Sequence, residues 1–245
     1  MIITVVGLGV VGGSFVKALK GQGHEVYGVD INEETLARAK ADGCIKEGFV
    51  NGDEIIKQSD MTIICLYPSL VLDYIKSHEF KKGSIITDAV GVKTHFLNEA
   101  MELLKDKDVE FVSGHPMAGR ENKGYLYASK EVFQGANYIL IQHEQNSKSA
   151  IAMMEQFVSN LGFHSVKIMS PQAHDEIISF TSQLPHVIAV SLIDSDNQKY
   201  DTGKYIGDSY RDLTRIANIN EDLWTELFFT NKENLLKSIQ GFEDQ

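Results

Sequence analysis

A chain of 245 residues, 43% of them hydrophobic, is long enough to bury a sizeable core as one large domain or two small ones. Its formal net charge of −11 argues against nucleic acid or an anionic membrane as a general partner, and no apolar run approaches the roughly 18 residues of a membrane span. Two cysteines, Cys44 and Cys65, make no disulfide framework; with a first strand expected from Ile2 and no charged leader or cleavage site before it, the expectation is a protein of the reducing cytoplasm.

The β-branched run at residues 2–6 gives way to Gly7, Gly9 and Gly12 in G-x-G-x-x-G spacing, and apolar residues then recur at helical intervals from Val10 to Leu19. That order is strand, tight turn, helix. Gly7 permits the turn, Gly9 lets the backbone approach a pyrophosphate, and Gly12 lets helix and strand pack closely. The N–H groups around Leu8, Val10 and Val11, at the helix start, meet the phosphates. A second apolar run, 25–29, ends at Asp30, 18 residues after Gly12. A carboxylate there accepts hydrogen bonds from an adenosine ribose 2′-hydroxyl; the competing reading is a helix N-cap or turn residue. Glu33 and Glu34 follow, and a 2′-phosphate beside three acids would be repelled. The cofactor expected is therefore NAD rather than NADP.

Residues 33–41 read as a short helix closed by Gly43, 54–58 as a helical turn, and 61–66 as a strand holding Cys65. Pro68 breaks that strand where a cofactor loop would lie, so Leu66 and Tyr67 border the nucleotide. A helix at 69–77, a strand at 84–87, a loop at 88–93 and a helix at 94–104 continue the alternation, which favours a mostly parallel sheet wound on both faces. A strand at 109–113 runs into Gly-His-Pro-Met-Ala-Gly (114–119), placing His115 beyond a strand's carboxyl end, where ligands of open α/β sheets sit. A strand at 137–142, an amphipathic helix at 147–161 and a final edge strand at 163–168 complete the first domain. From Ser170 the pattern turns helical: 171–193, interrupted around residues 183–186, then 209–217 after a glycine-containing loop, and a closing helix at 221–240. The fold class expected is α/β, with a Rossmann-type doubly wound domain over 1–168 and an all-α domain over 169–245.

With Gly-His-Pro-Met-Ala-Gly (114–119), Ser-Gln-Leu-Pro-His (182–186) and Arg-Asp-Leu-Thr-Arg-Ile-Ala (211–217) following the dinucleotide motif, the chain resembles the prephenate dehydrogenase family in its monofunctional form. The resemblance implies conversion of prephenate and NAD⁺ to 4-hydroxyphenylpyruvate, CO₂ and NADH on the way to tyrosine, by a homodimer joined through its helical domain; some relatives use arogenate instead. Oxidising the C4 alcohol of a cyclohexadiene needs a base for the hydroxyl proton, and imidazole, with a pKa of about 6.5, suits that task. His115 is that base. Loss of the ring carboxylate aromatises the ring, so the chemistry calls for no metal. The substrate is a dianion, for which a guanidinium fork is the expected anchor. Arg215 matches the family's substrate-binding arginine and His186 a position lining the substrate site, while Glu121 matches an acid that pairs with that arginine.

Arg211, one turn before Arg215, either shares the pocket or pairs with Asp208 or Asp212 at the surface. Trp224, the sole tryptophan, either edges the site or packs within its helix, and His174-Asp175 is expected to position a helix. Two departures from the family stand out: Gly91 falls where a serine often orients the histidine, and Arg120 replaces a small residue after Gly119. Ending at Gln245, the chain is expected to carry neither an ACT domain nor a fused chorismate mutase. Two readings compete with prephenate oxidation. One is arogenate dehydrogenation; the other is a non-catalytic NAD-binding redox sensor, which would need neither His115 nor Arg215.

Overall fold

The computed structural model describes residues 1–119 and 122–245. They form two compact units, Met1–Pro171 and Gln172–Gln245.

In the first unit, β1 (Ile2–Val6), α1 (Val10–Leu19), β2 (Glu25–Val29), α2 (Glu33–Ala41), β3 (Glu47–Phe49), α3 (Asp53–Ile56), β4 (Met61–Ile64), α4 (Pro68–Ser77), β5 (Ser84–Asp88), α5 (Thr94–Leu104) and β6 (Val109–Phe111) follow in order. The six strands make one sheet in the order β3-β2-β1-β4-β5-β6, with every pair parallel. Helical crossovers cover both faces of such a sheet, so central strands are apolar throughout rather than alternating. β4 is accordingly buried at each of its residues. The short strand β3 was not foreseen, since Glu-Gly-Phe carries no strand pattern. It forms because β2 offers it an edge and because Gly48 lets α2 come close: a Cβ there would lie 2.8 Å from that of Leu36.

Three stretches expected in or beside this sheet form a separate one. β7 (Gly114–Pro116), β8 (Asn137–Ile141) and β9 (Ser165–Met169) make a three-stranded sheet in that order, antiparallel at β7–β8 and parallel at β8–β9. The expected strand 109–113 is thus too long, because the chain changes partners within it. Val112 still donates to Ile86 of β5 (2.9 Å), whereas the carbonyl of Ser113 accepts from Ile141 of β8 (2.9 Å). The helix before β9, α6 (Lys148–Asn160), is capped by the Ser147 hydroxyl, which accepts from Ala150 N.

The second unit carries α7 (Pro171–Ile178), a π-helical segment Ser179–Gln183, α8 (Leu184–Asp194), α9 (Asp208–Thr214), α10 (Glu221–Thr230) and α11 (Lys232–Glu243). Pro185 has no N–H to give and is tolerated directly after the π segment, where the hydrogen-bond ladder is already displaced. By length and composition Pro171–Asp194 could cross a membrane, which a search for uninterrupted apolar runs overlooks. Its Ser179 hydroxyl bonds that of Ser238 at 2.7 Å, and its Asp175 carbonyl and Gln183 amide bond Asn231, contacts proper to the central helix of a helical unit. The closing helix expected over 221–240 is two helices. It breaks at Asn231, whose side chain is buried and turned inward to those bonds instead of continuing a smooth helical surface.

Candidate active site

The glycine loop has the geometry of a phosphate cradle. Gly7 sits at φ +82°, and a Cβ there would meet the Cys65 carbonyl oxygen at 2.6 Å; a Cβ on Gly12 would fall 1.9 Å from the Gly7 carbonyl oxygen. Neither position admits another residue. Around Gly9, in contrast, nothing among the described residues lies within 4 Å of where a Cβ would be, which leaves room for a ligand's approach. Gly9 is also the N-cap of α1; no side-chain cap bonds this helix start and its first turn, with Val10 and Val11, holds no acid. The first N–H groups of a helix have no intrahelical acceptor, so this end favours an anion.

Asp30 closes the cradle at the end of β2. Its Oδ2 accepts from Leu8 N at 2.6 Å and its Oδ1 from Asn32 N at 2.8 Å. The N-cap of α2 is Asn32, whose side chain accepts from Thr35 N, so the N-cap reading of Asp30 falls away. Each carboxylate oxygen keeps further acceptor capacity, and two ribose hydroxyls can use it. At the end of β4, Cys65 N donates to Val6 O (2.7 Å), and Leu66 reaches within 3.0 Å of the Cβ position of Gly7. Tyr67, 41% exposed, continues the same rim. The residues present fit a dinucleotide.

His115 lies beyond the carboxyl end of β6 and is the middle residue of β7, opposite Ile139 of β8. Its backbone is held from two sides. The Lys93 ammonium, at the start of α5, donates to Asp88 Oδ2 at 2.6 Å and to the Gly114 carbonyl at 2.7 Å, with both side chains fully buried. The phenol of Tyr138 lies against Gly114, where a Cβ would be 2.2 Å from its oxygen; only glycine fits before His115. Burial first, and then the Asp88 carboxylate, push the Tyr138 phenol well above its usual range, so it stays neutral. Asp88 and Lys93, at the ends of the loop read as 88–93, carried no assigned role in the sequence. A lysine inside the otherwise apolar Ala-Val-Gly-Val loop was the signal available. Gly91 lies between Val90 and Val92, both buried, in the bend before Lys93.

The second unit brings together two of the foreseen residues. His186, on α8, donates from Nδ1 to the Ser182 carbonyl at 2.8 Å, and its ring stacks on Trp224 of α10 with centroids 3.7 Å apart and planes at 28°. Trp224 in turn lies 5.3 Å from Phe228. Arg215 opens the 3-10 turn Arg215–Ala217, which packs on α8. Arg211 is different: its guanidinium donates to Asp208 Oδ1 (2.8 Å) and to the Ile206 carbonyl (3.3 Å), and its side chain is 58% exposed. Arg211 thus makes the surface pair that is one of its two readings in the sequence. His174 and Asp175 are buried, their Nδ1 and Oδ1 2.7 Å apart. Glu121 and Arg120 lie outside the described residues.

Family models described as "Prephenate dehydrogenase, nucleotide-binding domain" and "Prephenate dehydrogenase, dimerization domain" match residues 15–167 and 170–245. A prephenate dehydrogenase of Bacillus subtilis is 29% identical over 96% of this chain, and one of Lactococcus lactis 28% identical over 98%. The chain spans 65% and 68% of the lengths of those relatives. Among solved structures, a prephenate dehydrogenase from Aquifex aeolicus in complex with hydroxyphenyl propionate and NAD⁺ superposes with a TM-score of 0.90 at 30% identity, covering 100% of this chain and 87% of that one. Synechocystis arogenate dehydrogenase superposes with a TM-score of 0.84 at 26% identity, covering 100% and 88%.

Proposed function

Because this chain belongs to the prephenate dehydrogenase family, we propose that it converts prephenate to 4-hydroxyphenylpyruvate and CO₂ with NAD⁺ as oxidant, in tyrosine biosynthesis. The observation that carries this reading is that one unit holds both the dinucleotide cradle and a histidine strapped to the parallel sheet through Lys93. The Aquifex aeolicus relative, solved with NAD⁺, supports the cofactor. A redox sensor would have no use for a histidine fixed in this way.

Bound NAD⁺ would supply the acceptor for the hydrogen on C4, together with its electron pair. His115 takes the C4 hydroxyl proton, and the alcohol becomes a ketone. The ring carboxylate then leaves as CO₂, its bonding pair aromatises the ring, and the former ketone oxygen is protonated to a phenol. Arg215 pairs a substrate carboxylate, and His186 lines the substrate-binding part of the second unit. Arg211 contributes only by exchanging Asp208 for substrate. The reading carries with it a homodimer formed through the helical unit, in the cytoplasm.

Four assays test it together: NADH or NADPH formation from purified prephenate and from arogenate, each with NAD⁺ and NADP⁺. Turnover of prephenate with NAD⁺ is expected to be the fastest. Faster turnover of arogenate would move the assignment to the activity named for the Synechocystis relative, and no turnover in any arm would end the enzymatic reading.

Asp30→Ala is expected to narrow the cofactor preference, lowering kcat/KM with NAD⁺ ~10–100-fold, the worth of hydrogen bonds to a charged acceptor, while leaving NADP⁺ less disfavoured. Equal efficiency with both cofactors in the unmodified protein would contradict the role given to Asp30. Arg215→Gln removes a charge-assisted fork from the ground state and the transition state alike, so its effect should fall on KM, by about 2–4 kcal/mol for a desolvated pair. Steady-state kinetics showing a fall in kcat with KM unchanged would reassign it.

A further inference from the structure

The π-helical segment Ser179–Gln183 ends just before the first turn of α8, which carries His186, and such segments mark positions where a helix is re-aimed, often at functional sites. The Ser179 hydroxyl ties the segment's start to Ser238, and one side-chain amide ties its end. Gln183, 1% exposed, donates from Nε2 to the Leu227 carbonyl at 2.8 Å and accepts at Oε1 from Asn231 Nδ2 at 2.9 Å. Asn231, 4% exposed, uses the same nitrogen to reach the Asp175 carbonyl at 2.8 Å, and its Oδ1 accepts from Asn234 at 2.8 Å. Both carboxamides are thus engaged at donor and acceptor ends. Leu227 lies on α10 one turn after Trp224, and Ser182, next to Gln183, is the residue whose carbonyl receives the His186 Nδ1–H. One amide therefore fixes both walls of the His186–Trp224 stack.

We propose that Gln183 and Asn231 form a buried clasp that positions the imidazole of His186 against Trp224 and so sets substrate affinity, an inference that rests on the substrate-site reading of His186 above. Neither residue touches substrate; they are positioning residues. Because the Ser182 carbonyl accepts from Nδ1, the neutral ring carries its lone pair on Nε2, which is therefore an acceptor. Holding the ring in this tautomer and on this stack beforehand spares the ordering cost at binding, whereas a loosened segment would meet that cost with each substrate molecule.

The test uses the full chain with Gln183→Met, which nearly keeps the volume and removes both Gln183 bonds, and with Asn231→Ala, which removes one of those two together with the bonds to Asp175 and Asn234. Trp224 is the sole tryptophan, so emission excited beyond the absorption of the nine tyrosines reads this stack. In Gln183→Met the emission is expected to shift to longer wavelength as the indole loses its stacked cover. KM for prephenate should rise ~10-fold with kcat within about threefold, and NAD⁺ affinity should not change. Asn231→Ala should act in the same direction but less, and the double variant should be no worse than Gln183→Met alone, because the two act as one unit. Folded variants with a lowered Tm but unchanged emission and KM would overturn the proposal and leave the amides as helix packing. Should Gln183→Met fail to fold, Asn231→Ala is judged by the same readings. If the unmodified protein turns over neither prephenate nor arogenate, the functional reading fails by itself, and the emission of the variants, which needs no substrate, still decides whether the clasp holds the stack.

Discussion

His115→Asn is expected to lower turnover ~10²–10⁴-fold with little change in KM. The amide keeps a hydrogen bond to the C4 hydroxyl but cannot take its proton, so the ground-state complex survives and the chemical step does not. The structure strengthens the expectation of an intact variant: His115 is the central residue of β7, its neighbours Gly114 and Pro116 pair with Leu140 and Tyr138, and the bond from Lys93 goes to a backbone carbonyl rather than to the imidazole. Replacing the side chain therefore leaves the strap in place. Steady-state kinetics with NAD⁺ affinity measured separately would check it, and turnover within a factor of three of the unmodified enzyme would remove the base named here.

Lys93→Met is expected to cost about 3–5 kcal/mol of stability, the typical loss when one partner of a buried ion pair is removed. The pair itself need not be worth so much. The loss comes from what is left behind: a fully buried Asp88 carboxylate, whose Oδ1 has no hydrogen-bond partner among the described residues and whose Oδ2 retains the Val90 N–H, plus a Gly114 carbonyl stripped of its donor. Methionine fills the volume but answers neither group. Urea unfolding monitored by circular dichroism would measure the loss. The double variant Lys93→Met with Asp88→Asn should be substantially less destabilised than the sum of the two single variants, because it removes both charges together. A loss under about 1 kcal/mol in Lys93→Met would show that the carboxylate is not held by this ammonium. Because the same ammonium ties β5 to β7, a folded Lys93→Met should also lose turnover, linking this stability prediction to the placement of His115.

These two predictions differ in where they came from. The role of His115 stood in the motif Gly-His-Pro-Met-Ala-Gly before any coordinates, whereas that of Lys93 did not, since nothing in Asp-Ala-Val-Gly-Val-Lys says that its ammonium will meet a carbonyl 21 residues onward. The same divide runs through Arg211. Its two readings were even in sequence because both depend on side-chain direction, and only the structure shows its bond to Asp208.

What the sequence determined by itself is what local chemistry dictates. The strand, turn and helix at β1 and α1, with positive φ imposed at Gly7 and close packing at Gly12, follow from residues within a dozen positions of one another, as do α2 and the placement of Asp30 at the end of β2. The change to helix after residue 170 is equally a matter of periodicity. Only the tertiary structure decided which strands pair. A run such as 109–113 is β-prone whichever edge it joins, and the transfer from Ile86 to Ile141 as partner depends on where β5 and β8 happen to present their backbones. It likewise decided that β3 exists, that the closing helix breaks at Asn231, and that Gln183 sits inside. Each of these rests on a hydrogen bond or close packing with a partner distant in the chain, and the free energy of a buried polar group depends on that partner rather than on its neighbours in sequence.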